Sequence, residues 1–147
     1  MLRRFDGKAR RLARPPGHCP RRLAYRPANW SDGSPVTAAD CVASLRRWGA
    51  RDGAGQIMLA KTADLSAKDD KTIVLRLKER WGLVYDALSK TSTPLCFMMP
   101  KKFAETDPFQ KIDTSNGVVG SGPFVLNMAE TKPGTQYVYE KNPHYVP

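Results

Sequence analysis

A mixed α/β fold is the expectation, and three observations carry it. One stretch repeats apolar residues at helical spacing, another alternates them with period two, and two C-terminal apolar runs flank a Pro-Gly pair. The chain has 147 residues, inside the roughly 100–200 of a single domain. Hydrophobic residues make up 41%, near the globular norm of about 45–50%. The regular βαβ alternation of a doubly wound sheet is missing, and no internal repeat is visible.

The elements follow in order. Trp30-Ser-Asp32-Gly33-Ser-Pro35-Val36 predicts a tight turn, since Asp-Gly accommodates positive φ and Pro35 fixes the exit. Thr37 then stands as the N-cap of a helix, with Asp40 completing a shortened capping box. Val42, Leu45 and Trp48 form its apolar stripe, joined by Ala38 and Cys41, and Gly49 reads as the stop. Cys41 on that stripe is a small buried hydrophobe rather than a nucleophile. Residues 51–55 read as a flexible loop.

Residues 72–78 place Ile73, Leu75 and Leu77 on one face of a half-buried strand. The Asp69-Asp70 turn before it predicts a hairpin with residues 63–67. Residues 82–90 predict a second helix, and 95–99 a short buried strand whose Met98 and Met99 fill core space. Residues 124–128 and 137–140, joined through Pro133-Gly134, predict an antiparallel hairpin.

The net charge of +10 first suggests an anionic partner. Its distribution says otherwise. Residues 1–28 hold nine Lys or Arg and the single acid Asp6, a net +8, whereas the remainder holds 15 basic and 13 acidic residues. Pro15, Pro16, Pro20 and Pro27 interrupt any element in that leader, and no apolar core of a signal peptide follows Arg3 and Arg4. Residues 1–28 are therefore expected to be disordered or foreign to the domain at 29–147. The alternative is a small basic nucleic-acid-binding protein in which residues 1–28 neutralise phosphates.

Several chemistries find no support. No run approaches the roughly 18 apolar residues of a membrane span. Three Cys without CxxC spacing support neither a disulfide framework nor a zinc module. Residues 117–123 are glycine-rich but run into the apolar Phe124-Val125-Leu126, whereas a phosphate loop opens a helix. His18 and His144 are isolated from other metal-ligand types, and no nucleophile elbow occurs. A non-enzymatic protein with no cofactor and no metal is expected.

The segment from Trp30 to Trp48, with its Asp32-Gly33-Ser34-Pro35-Val36-Thr37-Ala38-Ala39-Asp40 start, resembles the helix start of the family 5 extracellular solute-binding proteins. These are the dipeptide- and oligopeptide-binding components of ATP-binding-cassette importers. Val119-Gly120-Ser121-Gly122-Pro123-Phe124, then Pro133-Gly134 and Tyr139-Glu140-Lys141-Asn142-Pro143-His144-Tyr145, is similar to the family's returning strand, turn and Asn-Pro end. Asp69-Asp70-Lys71-Thr72 and Phe97-Met98-Met99-Pro100-Lys101 fit the same pattern. The likeness runs from about Trp30 to Tyr145.

That resemblance implies a partial lobe of a two-lobed type II periplasmic-binding-protein fold, comprising the accessory subdomain and the return into the first lobe. It implies a peptide or other small solute as ligand, a membrane permease as partner, and no nucleic acid. In the family the loop after the first helix faces the cleft, which points to Trp48, Arg51, Asp52 and Gly53 as ligand-binding residues. Full-length relatives are periplasmic and several times longer. This chain is thus expected to be an incomplete fragment with weak or no binding, and, lacking a signal peptide, cytoplasmic as it stands. The family enters its Asp-Gly turn from an apolar strand, where this chain has Arg21-Arg22-Leu23-Ala24-Tyr25-Arg26-Pro27-Ala28-Asn29. A shifted reading frame or a misplaced start would account for residues 1–28.

Overall fold

Thr37 opens the first helix through a complete capping box. Its hydroxyl accepts from the Asp40 amide at 3.3 Å, and the Asp40 carboxylate accepts from the Thr37 amide at 2.8 Å. The computed structural model describes residues 21–24, 28–92, 94–113 and 117–145. His18 and the prolines of the leader lie outside those residues.

Helix α1 spans Ala38–Arg51 and runs through Gly49 without stopping. Asp52 is both its C-cap and the N-cap of α2, Gly53–Ala60. The Asp52 amide donates to the Trp48 carbonyl at 2.9 Å, while its carboxylate accepts from the Gly55 amide at 3.0 Å. The flexible loop expected at 51–55 is therefore a helix–helix junction. Gly55 serves close packing: a Cβ on it would lie 2.7 Å from the Gly49 Cα and 3.1 Å from the Trp48 ring.

Strands β1 (Arg21–Ala24), β2 (Thr62–Asp69) and β3 (Thr72–Leu77) form an antiparallel sheet in the order β1-β3-β2. The β2–β3 hairpin stands where period-two alternation put it. Strand β1 is a correction, because it lies within residues expected to carry no element. It forms by pairing Arg21–Ala24 with Leu75–Thr72; a backbone ladder needs a free neighbouring edge, not apolar alternation, and the leader's prolines fall outside these four residues.

Leu45, Trp48, Met58, Leu65, Ile73, Leu75 and Leu77 form the core between the helices and the sheet. Short α3 (Val84–Leu88) closes it through Val84 and Ala87. Residues 95–99 are not a buried strand. They run irregularly, with Phe97 67% and Met98 39% exposed. Bonds to α1 rather than to a sheet hold this stretch: Trp48 Nε1 donates to the Pro94 carbonyl (3.0 Å), the Met99 amide donates to Ser44 Oγ (3.0 Å), and the Lys101 amide donates to the Asp40 carboxylate (2.7 Å).

A one-turn helix, α4 (Lys101–Ala104), follows. The C-terminal hairpin pairs β4 (Phe124–Leu126) with β5 (Tyr139–Lys141), and Gly134 takes a φ of 84° in the connecting segment. Two hydrogen bonds tie this return to the Asp-Gly turn: the Ser31 amide donates to the Gly120 carbonyl at 2.8 Å, and the Gly120 amide to Ser31 Oγ at 3.4 Å.

Candidate functional site

The four residues singled out by resemblance meet at the α1–α2 junction, in two different situations. Trp48 completes the apolar stripe of α1 and is 6% exposed, its indole N–H held by Pro94. Asp52 is 2% exposed and forms an ion pair with Lys90 as well as capping α2. Arg51 and Gly53, on either side of it, are exposed. Capping turns the Asp52 carboxylate inward, and helical rotation turns its neighbours out.

Burial by itself raises the Asp52 carboxyl pKa. The hydrogen bond and charge of Lys90, together with the Gly55 and Ala54 amides, outweigh it and hold the group below the usual carboxylate range. Asp52 is therefore a charged group already committed to the fold.

A second carboxylate organises the other end of α1. Besides Thr37 and the Lys101 amide, Asp40 accepts from Trp30 Nε1 at 3.4 Å. Burial again opposes ionisation, and the amides of Thr37 and Lys101 with the Thr37 hydroxyl overcome it, lowering the pKa. The chain from Pro94 to Lys101 thus lies antiparallel along α1, fixed at Trp48, Ser44 and Asp40. Arg47, 8% exposed, extends this fastening: its guanidinium donates to the Thr106 carbonyl at 2.6 Å and to the Gln110 carbonyl at 3.1 Å.

On the flank of α1 facing β2 and α4 lies an open groove of about 460 Å3, bordered by Arg46, Leu65, Ser66, Ala67, Lys101 and Glu105. Arg46 Nη2 donates to the Leu65 carbonyl at 2.7 Å, and Lys101 pairs with Glu105 at 3.4 Å. Sequence reasoning missed this groove and missed Lys90. Adjacent Arg46 and Arg47 offer no signal of their separate fates, one exposed and the other buried, until α4 is in place. Asp40 was legible as a cap but not as the anchor for Lys101.

Burial pushes the Cys41 thiol up to about 11 and the Cys96 thiol up to about 12, so neither is a poised nucleophile. Among the described residues, no cluster of His, Cys, Asp and Glu could hold a metal ion, and no helix is long and apolar enough to cross a membrane. The exposed charged groups at the corner and the groove are Arg51, Arg46, Lys101 and Glu105.

Comparison with known proteins places these features in context. The family model "Bacterial extracellular solute-binding proteins, family 5 Middle" matches residues 26–147. The chain is 44% identical over 118 residues to the "Probable peptide ABC transporter periplasmic-binding protein y4tO" of Sinorhizobium fredii, covering 80% of this chain and 21% of that relative. Its fold is similar to NikZ from Campylobacter jejuni in complex with Ni(L-His), with a TM-score of 0.61, 18% identity, and coverage of 84% of this chain and 24% of that one. It is also similar to Haemophilus influenzae OppA complexed with the peptide RPPGFSPFR, with a TM-score of 0.57, 25% identity, and coverage of 84% and 27%. The chain spans about a fifth to a quarter of the length of these proteins.

Proposed function

The chain belongs to the bacterial extracellular solute-binding proteins of family 5, and on that premise we propose that it supplies part of one lobe of a peptide-binding protein serving an ATP-binding-cassette importer. The single observation that carries this reading is the 44% identity to a relative named as a peptide transporter's periplasmic-binding protein. The role is capture, not catalysis. Its proposed compartment is the periplasm, and its proposed partner is the importer's membrane permease.

At the α1–α2 junction, the reading gives ligand contact to Arg51 and Gly53. A guanidinium there suits a peptide carboxylate, which it can grip with two parallel bonds, and Gly53 lets ligand backbone approach closely. Trp48 and Asp52 hold the corner in place from beneath. A concave site buries most of its ligand, so groups from a facing lobe complete the grip, and this chain alone binds weakly or not at all. The whole binding protein would close on its ligand by hinge motion between lobes.

Thermal-shift measurement of the chain and of y4tO with one panel of dipeptides and oligopeptides tests this. A cooperative melt of the chain, unmoved by peptides that raise the melting temperature of y4tO, is expected. Peptide-induced shifts as large as those of y4tO would overturn the need for a facing lobe.

A further inference from the structure

Among the described residues, the order β1-β3-β2 leaves β2 at the edge of its sheet, and β2 is the longest strand. Its register with β3 slips between Thr62 and Asp64 and again between Ala67 and Asp69, so regular pairing is confined to residues 64–67. Leu65, Ser66 and Ala67 of that regular part border the groove of about 460 Å3. Charged side chains that commonly guard an edge stand at both ends of that regular part, Asp64, which accepts from Ser66 Oγ, at its start and Lys68 and Asp69 beyond it. Ala39 and Ala43 of α1, with methyl-sized side chains, keep the opposite wall low.

Arg46 is the informative residue. Exposed on α1, it reaches across the groove and donates to the Leu65 carbonyl at 2.7 Å. A side chain thus occupies an acceptor that a neighbouring strand's N–H could take. Were a strand to enter, the Leu65 carbonyl would keep a donor and the released guanidinium would need an anion. A carboxylate on the incoming strand supplies one, and a charge-assisted bond is stronger than the one given up. Lys101 adds a second exposed cation, against the single acid Glu105.

We propose that this groove takes an extended acidic segment of a partner protein, which adds to the free edge of β2 and sets an Asp or Glu side chain against Arg46 and Lys101. Main-chain bonds supply affinity and the alternate side chains supply selectivity, as in β-strand addition. This site is separate from the solute corner: Arg51 lies five residues beyond Arg46 on α1 and does not border the groove.

The test is fluorescence anisotropy on the full chain, with a labelled, end-capped heptapeptide alternating Glu with Val and Thr, and its counterpart carrying Lys for Glu. Saturable binding of the Glu peptide alone is expected. Arg46→Glu should weaken it about tenfold, the scale of one hydrogen bond to a charged group. Glu105→Lys should tighten it about threefold, as a surface charge pair does, and reads the same site if Arg46→Glu fails to fold. N-methylation of alternate amides along one peptide edge should abolish binding, while methylation along the other edge leaves it unchanged. Arg51→Ala, which bears on the solute corner, should weaken binding of the Glu peptide less than Arg46→Glu does. Equal binding of the Glu and Lys peptides, indifference to methylation on both edges, no saturable binding, or a loss on Arg51→Ala matching Arg46→Glu would each overturn the proposal.

Discussion

The carboxylate of Asp52 receives the ammonium of Lys90, joining the α1–α2 junction to the chain just after α3. Asp52 is 2% exposed, and its side chain also caps α2. Asp52→Ala should therefore cost about 2–4 kcal/mol, from a lost cap and a broken, largely buried pair. Asp52→Asn keeps a capping oxygen and should cost about 1–2 kcal/mol. Urea unfolding of the two variants beside the parent measures the difference.

Asp40 and Asp52 both carry lowered pKa values in the folded chain. The unfolded state then binds more protons at acid pH, so stability rises with pH across that window. Their contribution is complete above the ordinary Asp value of about 4 and is lost as pH falls through it towards the lowered folded values. Melting temperature followed from neutral pH downwards should drop in that window. The drop should be shallower in the Asp40→Asn, Asp52→Asn double variant, which starts from a lower value.

Gly33 takes a φ of 85°, and a Cβ built on it would meet the His144 imidazole at 3.2 Å. Gly33→Ala should cost about 2–3 kcal/mol, combining left-handed backbone strain with crowding. Adding His144→Ala removes only the crowding, so relative to His144→Ala alone the loss should shrink to about 1–2 kcal/mol. Denaturant melts of the four chains complete that cycle.

Burial raises the Cys41 and Cys96 thiols to about 11 and about 12. In a chain carrying Cys19→Ser, Ellman's reagent at mildly alkaline pH should label both at least about 100-fold more slowly than a free thiol, because attack needs an exposed thiolate. Denaturant should release both at once. The same shifts add stability below the ordinary thiol value of about 8.5, lost as pH rises from there through the folded values.

What the sequence disclosed, and what it hid, follows the range of each interaction. The Thr37–Asp40 capping box spans three residues, and the β2–β3 hairpin declares itself by period-two alternation, so both were legible. Trp48 belonged to a visible stripe, and its burial follows from that pattern. Gly49 and Gly55 looked like breakers because their purpose, letting α1 and α2 touch, exists only once both helices are packed. Residues 95–99 carry strand-like composition, yet side chains of α1 hold this stretch by its backbone, leaving Phe97 in solvent. Asp52 seemed a loop residue because Lys90, the partner that makes it structural, is 38 positions away. The groove needs α1, β2 and α4 together, and no local signal contains it.

The measurement closest to the central claim replaces the matching segment of y4tO, 118 residues at 44% identity, with the corresponding residues of this chain. Calorimetric titration with peptides that y4tO binds should give affinities within about tenfold of the parent, or about 1.4 kcal/mol, and Arg51→Ala in the chimera should weaken them. A chimera that melts as cooperatively as y4tO yet binds none of those peptides would contradict the account.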